Sequence, residues 1–151
     1  MRIGVPSEIK AQESRVGLTP LSVQELTNHG HDVLIQDNAG FGAGFENLDY
    51  EKAGAKIAPT AGDIFNDSDM IVKVKEPQSE EVSMLRDNQL LFTYLHLSAA
   101  PELTKGLVES KSICIAYETV TDENNRLPLL APMSAVAVSY THLTLPTILL
   151  V

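Results

Sequence analysis

The chain has 151 residues, of which 44% are hydrophobic and 21% are charged, and its formal net charge is −9. These proportions are typical of a globular domain with one hydrophobic core. The negative charge argues against binding to nucleic acid, whose phosphates would be repelled, and against adsorption to anionic lipid. No run approaches the ~20 apolar residues of a transmembrane helix. We therefore expect neither nucleic acid nor membrane as a partner.

The single cysteine and the N-terminal segment bear on the compartment. Cys114 lies in an apolar run and has no second cysteine with which to form an intramolecular disulfide. We expect a buried thiol in a reducing environment. The segment MRIGVPSEIK has no long apolar core and no cleavage site, so it does not resemble a signal peptide. These features together predict a cytoplasmic location.

Short apolar runs alternate with amphipathic stretches along the chain. In chain order, the pattern predicts a strand at 2–5, a helix from Pro20 that Gly30 ends, a strand at 31–36, a helix at 47–53, a short strand at 56–58, a helix at 60–66, a strand at 69–75, a helix at 80–85, a strand at 90–95, a helix at 101–110 and a strand at 112–117. Strands that alternate with helices at this spacing indicate an α/β fold, a parallel sheet with helices on both faces.

The glycine-rich run AGFGAGF, residues 39–45, is similar to a nucleotide-binding loop but departs from it. A dinucleotide fingerprint requires Gly-x-Gly-x-x-Gly, and Phe45 stands where the third glycine is needed. The following segment, ENLDYEKAG, is acidic and suits a phosphate poorly. The run is therefore interpreted as a tight loop without a nucleotide. No P-loop and no paired metal-ligand motif is present, so no metal site is expected.

Three cationic or titratable side chains follow predicted strands. Arg15 lies in the loop after the first strand, Lys75 ends the run MIVKVK, and His96 follows LLFTYL. The carboxyl ends of parallel strands meet at one edge of a sheet, where ligands bind. A pocket with these three side chains suits a small carboxylate, because arginine can bind it through two hydrogen bonds.

Each of these residues also has an ordinary explanation. His96 fits a core imidazole that donates to a backbone carbonyl, and it equally fits a general acid/base near neutral pH. Lys75 alone fits a solvated charge at a strand end, and Arg15 alone fits a surface residue. The pattern by itself leaves both interpretations open.

Several segments, in order, resemble a known family over residues 1 to about 137. The opening MRIGVPSEIKAQESRVGLTP, the glycine run, DMIVKVKEP, LLFTYLHLSAAPELT, IAYETV and LPLLAPMS are similar to alanine dehydrogenase and to the first part of proton-translocating nicotinamide nucleotide transhydrogenase. The combination of YLHL and LPLLAPMS favours alanine dehydrogenase. The resemblance implies a Rossmann-like, flavodoxin-type substrate domain that is incomplete at its C-terminus.

The resemblance also implies roles for six residues. His96 would be the general acid/base, Arg15 would grip the substrate carboxylate, and Lys75 would hydrogen-bond the substrate oxygen and polarise it. Tyr94, two residues before His96 and on the same face by strand alternation, would form a wall of the substrate pocket. Met133 would touch the substrate region, and Ser134 would meet the cofactor.

The implied reaction is the NAD-dependent, reversible oxidative deamination of L-alanine to pyruvate and ammonium, in L-alanine catabolism. The family usually assembles as a homohexamer. Three alternatives stay open: a domain like the transhydrogenase α-subunit, a saccharopine-dehydrogenase-like domain, and a non-catalytic fragment that binds a small carboxylate.

The resemblance stops after Ala137. Residues 138–151 read VSYTHLTLPTILLV, with no acidic, Lys or Arg residue and with Pro146 in place of a continuing helix. We expect a substrate domain at 1–137 and an artefactual tail at 138–151. The family's NAD-binding domain would come next and is not matched, so we expect this chain alone to be inactive in hydride transfer.

Overall fold

The computed structural model describes residues 1–135 and contains a six-stranded parallel sheet. The strands are β1 (Arg2–Val5), β2 (Asp32–Gln36), β3 (Lys56–Ala58), β4 (Met70–Val72), β5 (Leu90–Thr93) and β6 (Ile113–Ala116). The helices are α1 (Pro20–Asn28), α2 (Asn47–Lys52), α3 (Ala61–Asp67), α4 (Ser79–Val82) and α5 (Pro101–Ser110). Short 3₁₀ turns cover Phe41–Ala43, Leu97–Ala99 and Tyr117–Thr119.

The strand order is β3-β2-β1-β4-β5-β6, which is the Rossmann order. The predicted α/β, Rossmann-like fold class is confirmed, whereas the flavodoxin-type order, in which β1 lies between β2 and β3, is not observed. Reversal of the order occurs between β1 and β4, where Ile3 pairs with Met70. Ligands bind at such a reversal, outside the carboxyl ends of the strands.

Helices cover both faces of the sheet, as the alternating pattern predicts. Ile3 and Val5 point to one face, where they cluster with Val23 of α1 and Tyr50 of α2. Gly4, between them, points to the other face. An ideal Cβ on Gly4 would lie 2.7 Å from Ile64 Cγ2 of α3, so α3 packs directly on the backbone of β1 there.

The predicted helix signals also appear as expected. Thr19 is the N-cap of α1 and accepts a hydrogen bond from the Ser22 N–H, and Pro20 occupies the first turn. Gly30, just beyond this helix, has φ of +80°. Thr60 precedes α3 as its N-cap, where it forms a capping box with Asp63.

Two strands are shorter than predicted. The strand expected at 69–75 ends at Val72, and the strand expected at 90–95 ends at Thr93. β1 ends at Val5, so the chain beyond Val72 loses its neighbour on that side, and the Val74 N–H donates to the Glu8 carboxylate instead.

The chain divides into two compact units, Met1–Ile115 and Ala116–Val151. The first contains α1–α5 and nearly all of the sheet; within the second, the structure describes residues 116–135, of which 131–135 are helical. Cys114, predicted to be buried, is only half-buried on β6 at the end of the sheet order. Among the described residues, the helices lack the length and apolar character that crossing a membrane requires.

Candidate functional site

The candidate site is built on the loop that follows β1, residues 6–19, here called the β1–α1 loop. This loop returns to the sheet at the end of β4. An ideal Cβ on Gly17 would lie only 2.6 Å from the Val72 carbonyl oxygen, so the backbone approach requires glycine. The loop therefore places its side chains at the reversal point of the sheet.

Arg15 is held on this loop by Glu13. Arg15 Nε donates to Glu13 Oε1 at 2.8 Å, and Nη2 donates to Oε2 at 2.6 Å. The Glu13 side chain is 8% exposed and the Arg15 side chain is 49% exposed. The hydrogen bond from Arg15 lowers the pKa of Glu13 to about 2. The pair uses Nε and Nη2, so the Nη1 donors of the guanidinium lie outside it.

Lys75 lies three residues beyond β4 rather than at its last position. Thr93 Oγ1 of β5 donates to the Lys75 carbonyl at 2.8 Å, which ties this segment to the next strand. The charge of Lys75 also contributes to the lowered pKa of Glu13, after the larger effect of Arg15. Lys75 and Arg15 therefore act on the same carboxylate.

Tyr94 and His96 form a stacked pair just beyond β5. Their ring centroids are 5.9 Å apart and their planes differ by 8°. Tyr94 is buried, whereas His96 is exposed, so the core imidazole considered from the sequence is wrong. His96 adopts the left-handed conformation, with φ 49° and ψ 38°. The two rings lie on the same side, as strand alternation predicts, although β5 ends at Thr93 and neither residue belongs to the strand.

A further ion pair lies beside His96. Lys10 of the β1–α1 loop pairs with Glu76, whose side chain is 16% exposed. Burial acts to raise the pKa of Glu76, but the hydrogen bond from Lys10 and the charges of Lys10 and His96 outweigh it, and the net shift is downward. His96 therefore lies within electrostatic reach of an ionised carboxylate.

These contacts bring four of the six predicted site residues into one neighbourhood. Tyr94 influences the pKa of Arg15, after the larger effects of Glu13, burial and Glu8. Tyr94 stacks on His96, and Lys75 acts on Glu13. Met133 and Ser134 belong to the second unit, where they lie on the helical residues 131–135 and both are exposed.

Sequence reasoning missed the acidic members of this neighbourhood. Glu13 precedes Arg15 by two residues in a loop, and Glu76 follows Lys75 directly. The Glu13–Arg15 pair is close in sequence, but the pairing of Lys10 with Glu76 crosses from one segment to another. Only the folded chain shows that Lys10, on the β1–α1 loop, meets Glu76 beyond β4.

The glycine run at 39–45 does not fit a dinucleotide. Its middle forms the 3₁₀ turn Phe41–Ala43. An ideal Cβ on Gly40 would lie 2.6 Å from the Tyr50 ring, and one on Gly42 would lie 2.9 Å from the Ser14 carbonyl. The chain packs closely against these two glycines, which agrees with the interpretation as a tight loop. Within residues 1–135, no cluster of three or more His, Cys, Asp or Glu side chains could hold a metal ion.

The family model described as alanine dehydrogenase/PNT, N-terminal domain, matches residues 4–137. The chain belongs to this family. An alanine dehydrogenase from Halomonas elongata is 55% identical over 137 residues, which is 91% of this chain and 37% of that protein. An alanine dehydrogenase from Mycobacterium tuberculosis is 49% identical over the same share of each chain.

Solved structures give the same relationship. A structure titled L-alanine dehydrogenase superposes with a TM-score of 0.85 at 54% identity, and it covers 89% of this chain and 37% of that one. The transhydrogenase from Sinorhizobium meliloti superposes with a TM-score of 0.74 at 28% identity, over 78% of this chain and 35% of that one. The chain thus spans little more than a third of the length of these alanine dehydrogenase and transhydrogenase relatives.

Proposed function

We propose that this chain is the substrate-binding part of an alanine dehydrogenase, which interconverts L-alanine and pyruvate with release or uptake of ammonium. The observation that carries the proposal is the guanidinium of Arg15, which Glu13 orients. Lys75 acts on the same Glu13 carboxylate, and Tyr94, which stacks on His96, acts on Arg15. The identities of 49–55% to alanine dehydrogenases, against 28% to a transhydrogenase, favour this reaction over the transhydrogenase alternative. No observation favours the saccharopine-dehydrogenase-like alternative.

The proposed roles follow from the chemistry of each group. Arg15 binds the substrate carboxylate through the N–H donors that Glu13 leaves unused, and Glu13 holds the guanidinium plane in place. Lys75 donates to the carbonyl oxygen of pyruvate and polarises it. His96, exposed to solvent, transfers a proton between water and the substrate. Tyr94 keeps the imidazole plane fixed by stacking.

The remaining parts of the proposal rest on the family. NAD is the implied cofactor, and when bound it would supply the acceptor for the hydride of the alanine α carbon. The glycine run departs from the dinucleotide fingerprint at Phe45, so the residues of the first unit are given substrate-binding and proton-transfer roles only. Met133 is proposed to touch the substrate, and Ser134 is the one proposed cofactor contact. A homohexamer and a cytoplasmic location stay predictions.

Pyruvate binding tests the substrate site directly. We expect millimolar pyruvate to shift backbone amide signals of the β1–α1 loop in the NMR spectrum of the ¹⁵N-labelled chain. Arg15→Lys should weaken binding by about 10- to 100-fold, since a bidentate, charge-assisted contact is lost. Arg126→Lys is the matched control, because Arg126 also pairs with an acid, Asp122, but lies in the second unit. Absence of any shift would remove the substrate assignment.

Catalysis is tested in a chimera in which residues 1–137 replace the matched segment of the Halomonas elongata relative. We expect alanine-dependent reduction of NAD, and a fall of about 10²- to 10⁴-fold in turnover for His96→Ala. Lys75→Ala should also lower turnover, whereas Lys105→Ala, at a side chain that is 70% exposed, should not. If turnover survives both site changes, the roles proposed for Lys75 and His96 fail, and absence of turnover in the unaltered chimera contradicts the alanine assignment. Pyruvate binding without turnover would instead favour the non-catalytic carboxylate-binding domain.

A further inference from the structure

Lys73 is a buried charge next to the proposed site, and it has no part in the roles given above. Its side chain is 1% exposed. Nζ donates to Glu81 Oε1 of α4 at 2.6 Å, and it lies 3.3 Å from Glu8 Oε2 as an ion pair without hydrogen-bond geometry. The side chains of Glu8 and Glu81 are each 2% exposed. One cation and two carboxylates are thus buried together.

Stability alone explains this cluster poorly. Removing a lysine and a carboxylate from water costs several kcal/mol for each ion, and apolar replacements of buried ion pairs are often neutral or stabilising. Burial raises the pKa of Glu81, although the Lys73 charge opposes the shift. The cluster is therefore maintained against a desolvation cost, which suggests that it fixes a geometry.

Each carboxylate of the cluster also bonds to backbone. Glu8 Oε1 accepts the Val74 N–H at 2.7 Å, and Glu81 Oε2 accepts the Gln78 N–H at the start of α4 at 2.8 Å. Lys73 thereby connects the β1–α1 loop, the segment beyond β4 and α4. The ion pair with Glu8 connects Lys73 to the loop that carries Arg15, and the ion pair with Glu81 connects it only to α4.

Two other contacts connect the β1–α1 loop to β4 and the segment beyond it. Lys10 pairs with Glu76, and Gly17 packs against the Val72 carbonyl. The part of the loop that carries Arg15 is thus fixed relative to the segment that carries Lys75. Within this set, the Glu8–Lys73 pair is the only tie among the described residues in which both side chains are fully buried.

We propose that Lys73 is a positioning residue. Its ion pair with Glu8 holds the β1–α1 loop so that Arg15 faces the carboxylate of a substrate bound next to Lys75. The residue acts through Glu8 and does not touch the substrate. The inference rests on the proposed function for its consequence, substrate affinity, but its structural part concerns the position of Arg15 in the chain without ligand.

Three variants of the 151-residue chain test the proposal. Lys73→Met and Glu8→Gln each remove the ion pair between Lys73 and the loop, and Glu81→Gln, the matched control, removes only the ion pair with α4. The first readout is the Arg15 Nε–H signal in the NMR spectrum without ligand, and the second is the Kd for pyruvate. Urea unfolding of each variant separates a change of position from a general loss of stability.

We expect Lys73→Met and Glu8→Gln to shift the Arg15 Nε–H signal and to raise the Kd by about tenfold, the size of one misaligned charge-assisted contact. Glu81→Gln should leave both readouts unchanged. Equal effects of all three variants, or an unchanged Arg15 signal in Glu8→Gln, would overturn the proposal. If Lys73→Met does not fold, the comparison of Glu8→Gln with Glu81→Gln still tests the positioning role. If the unaltered chain binds no pyruvate, the proposed function fails. The Arg15 Nε–H signal, measured without ligand, still tests whether Lys73 positions the loop.

Discussion

Arg15 is half-exposed, and its position in the sequence does not distinguish it from a surface arginine. Its pairing with Glu13 distinguishes it from a surface arginine. Two hydrogen bonds to the Glu13 carboxylate, whose side chain is 8% exposed, fix the plane of the guanidinium. An exposed arginine without such a partner would sample many rotamers and lose entropy on binding. This orientation before binding supports the proposal that Arg15 binds a small carboxylate.

The Glu13–Arg15 pair predicts a pH dependence of stability. The pKa of Glu13 is about 2 in the folded chain, against an ordinary value of 4.5. A lowered folded-state pKa contributes stability that is complete above about pH 4.5 and is lost as the pH falls towards 2. We expect the difference in unfolding free energy between the unaltered chain and Glu13→Gln to shrink over this range. Urea unfolding at pH 5, 4, 3 and 2 measures it, and a constant difference would contradict the assignment.

His96 is the second residue whose conformation matters. Its φ of 49° is unfavourable for most residues, and Asn tolerates this region best after glycine. We expect His96→Asn to leave the unfolding free energy within about 0.5 kcal/mol, whereas the β-branched His96→Val should lose about 1–2 kcal/mol. Urea unfolding distinguishes the two. Equal stability of the variants would show that the backbone at this position carries no strain.

At the scale of elements, the site depends on how closely the helices and loops approach the sheet. α3 lies directly on β1 because Gly4 has no side chain, and the β1–α1 loop meets β4 because Gly17 has none. The approach at Gly4 fixes the distance between α3 and the sheet. The approach at Gly17 fixes the distance between the loop that carries Arg15 and the strand that leads to Lys75.

Two glycine substitutions test this packing. An ideal Cβ on Gly4 would lie 2.2 Å from Ser68 Oγ and 2.7 Å from Ile64 Cγ2, so Gly4→Ala should destabilise the chain by about 1–3 kcal/mol. Gly62 lies on the exposed side of α3, with its nearest neighbour, Thr60 Oγ1, at 3.6 Å. Gly62→Ala should therefore stabilise by about 0.5–1 kcal/mol. Thermal or urea unfolding provides the measurement, and two changes of the same sign would contradict the packing.

At the scale of the whole chain, the first unit is organised around the parallel pairing of β1, β4 and β5. Ile71 of β4 pairs with Leu91 of β5, and both are fully buried. A parallel pair of this kind needs apolar side chains on both faces, which is why these strands read as continuous apolar runs. The segments that carry Lys75 and His96 follow directly from β4 and β5, so this core anchors them.

Truncation in this core should weaken the unit as a whole. We expect Leu91→Ala to cost about 2–5 kcal/mol, because a buried Leu leaves a cavity. Leu21→Ala is the matched control, since that side chain is 76% exposed, and it should change stability by no more than about 0.5 kcal/mol. Urea unfolding of both variants gives the comparison. A similar cost at the two positions would mean that Leu91 is not in the core.

The sequence by itself determined the fold class, the order of helices and strands, the start of α1 at Pro20, and the family. These features depend on local chemistry: periodic burial, capping side chains, and glycine or proline at element ends. It also identified Arg15, Lys75 and His96 as candidates because they follow predicted strands, and the family resemblance added Tyr94. Their functional roles remain proposals.

Only the tertiary structure decided where the strands end and which charges meet. β4 stops at Val72, and the Val74 N–H beyond it donates to the carboxylate of Glu8, which lies more than sixty residues earlier in the sequence. Lys73 reads as one more letter of an apolar run, yet it is buried between two carboxylates from other segments. Such contacts join residues that are distant in sequence, and their energies depend on burial and on distances that arise only when the sheet has formed.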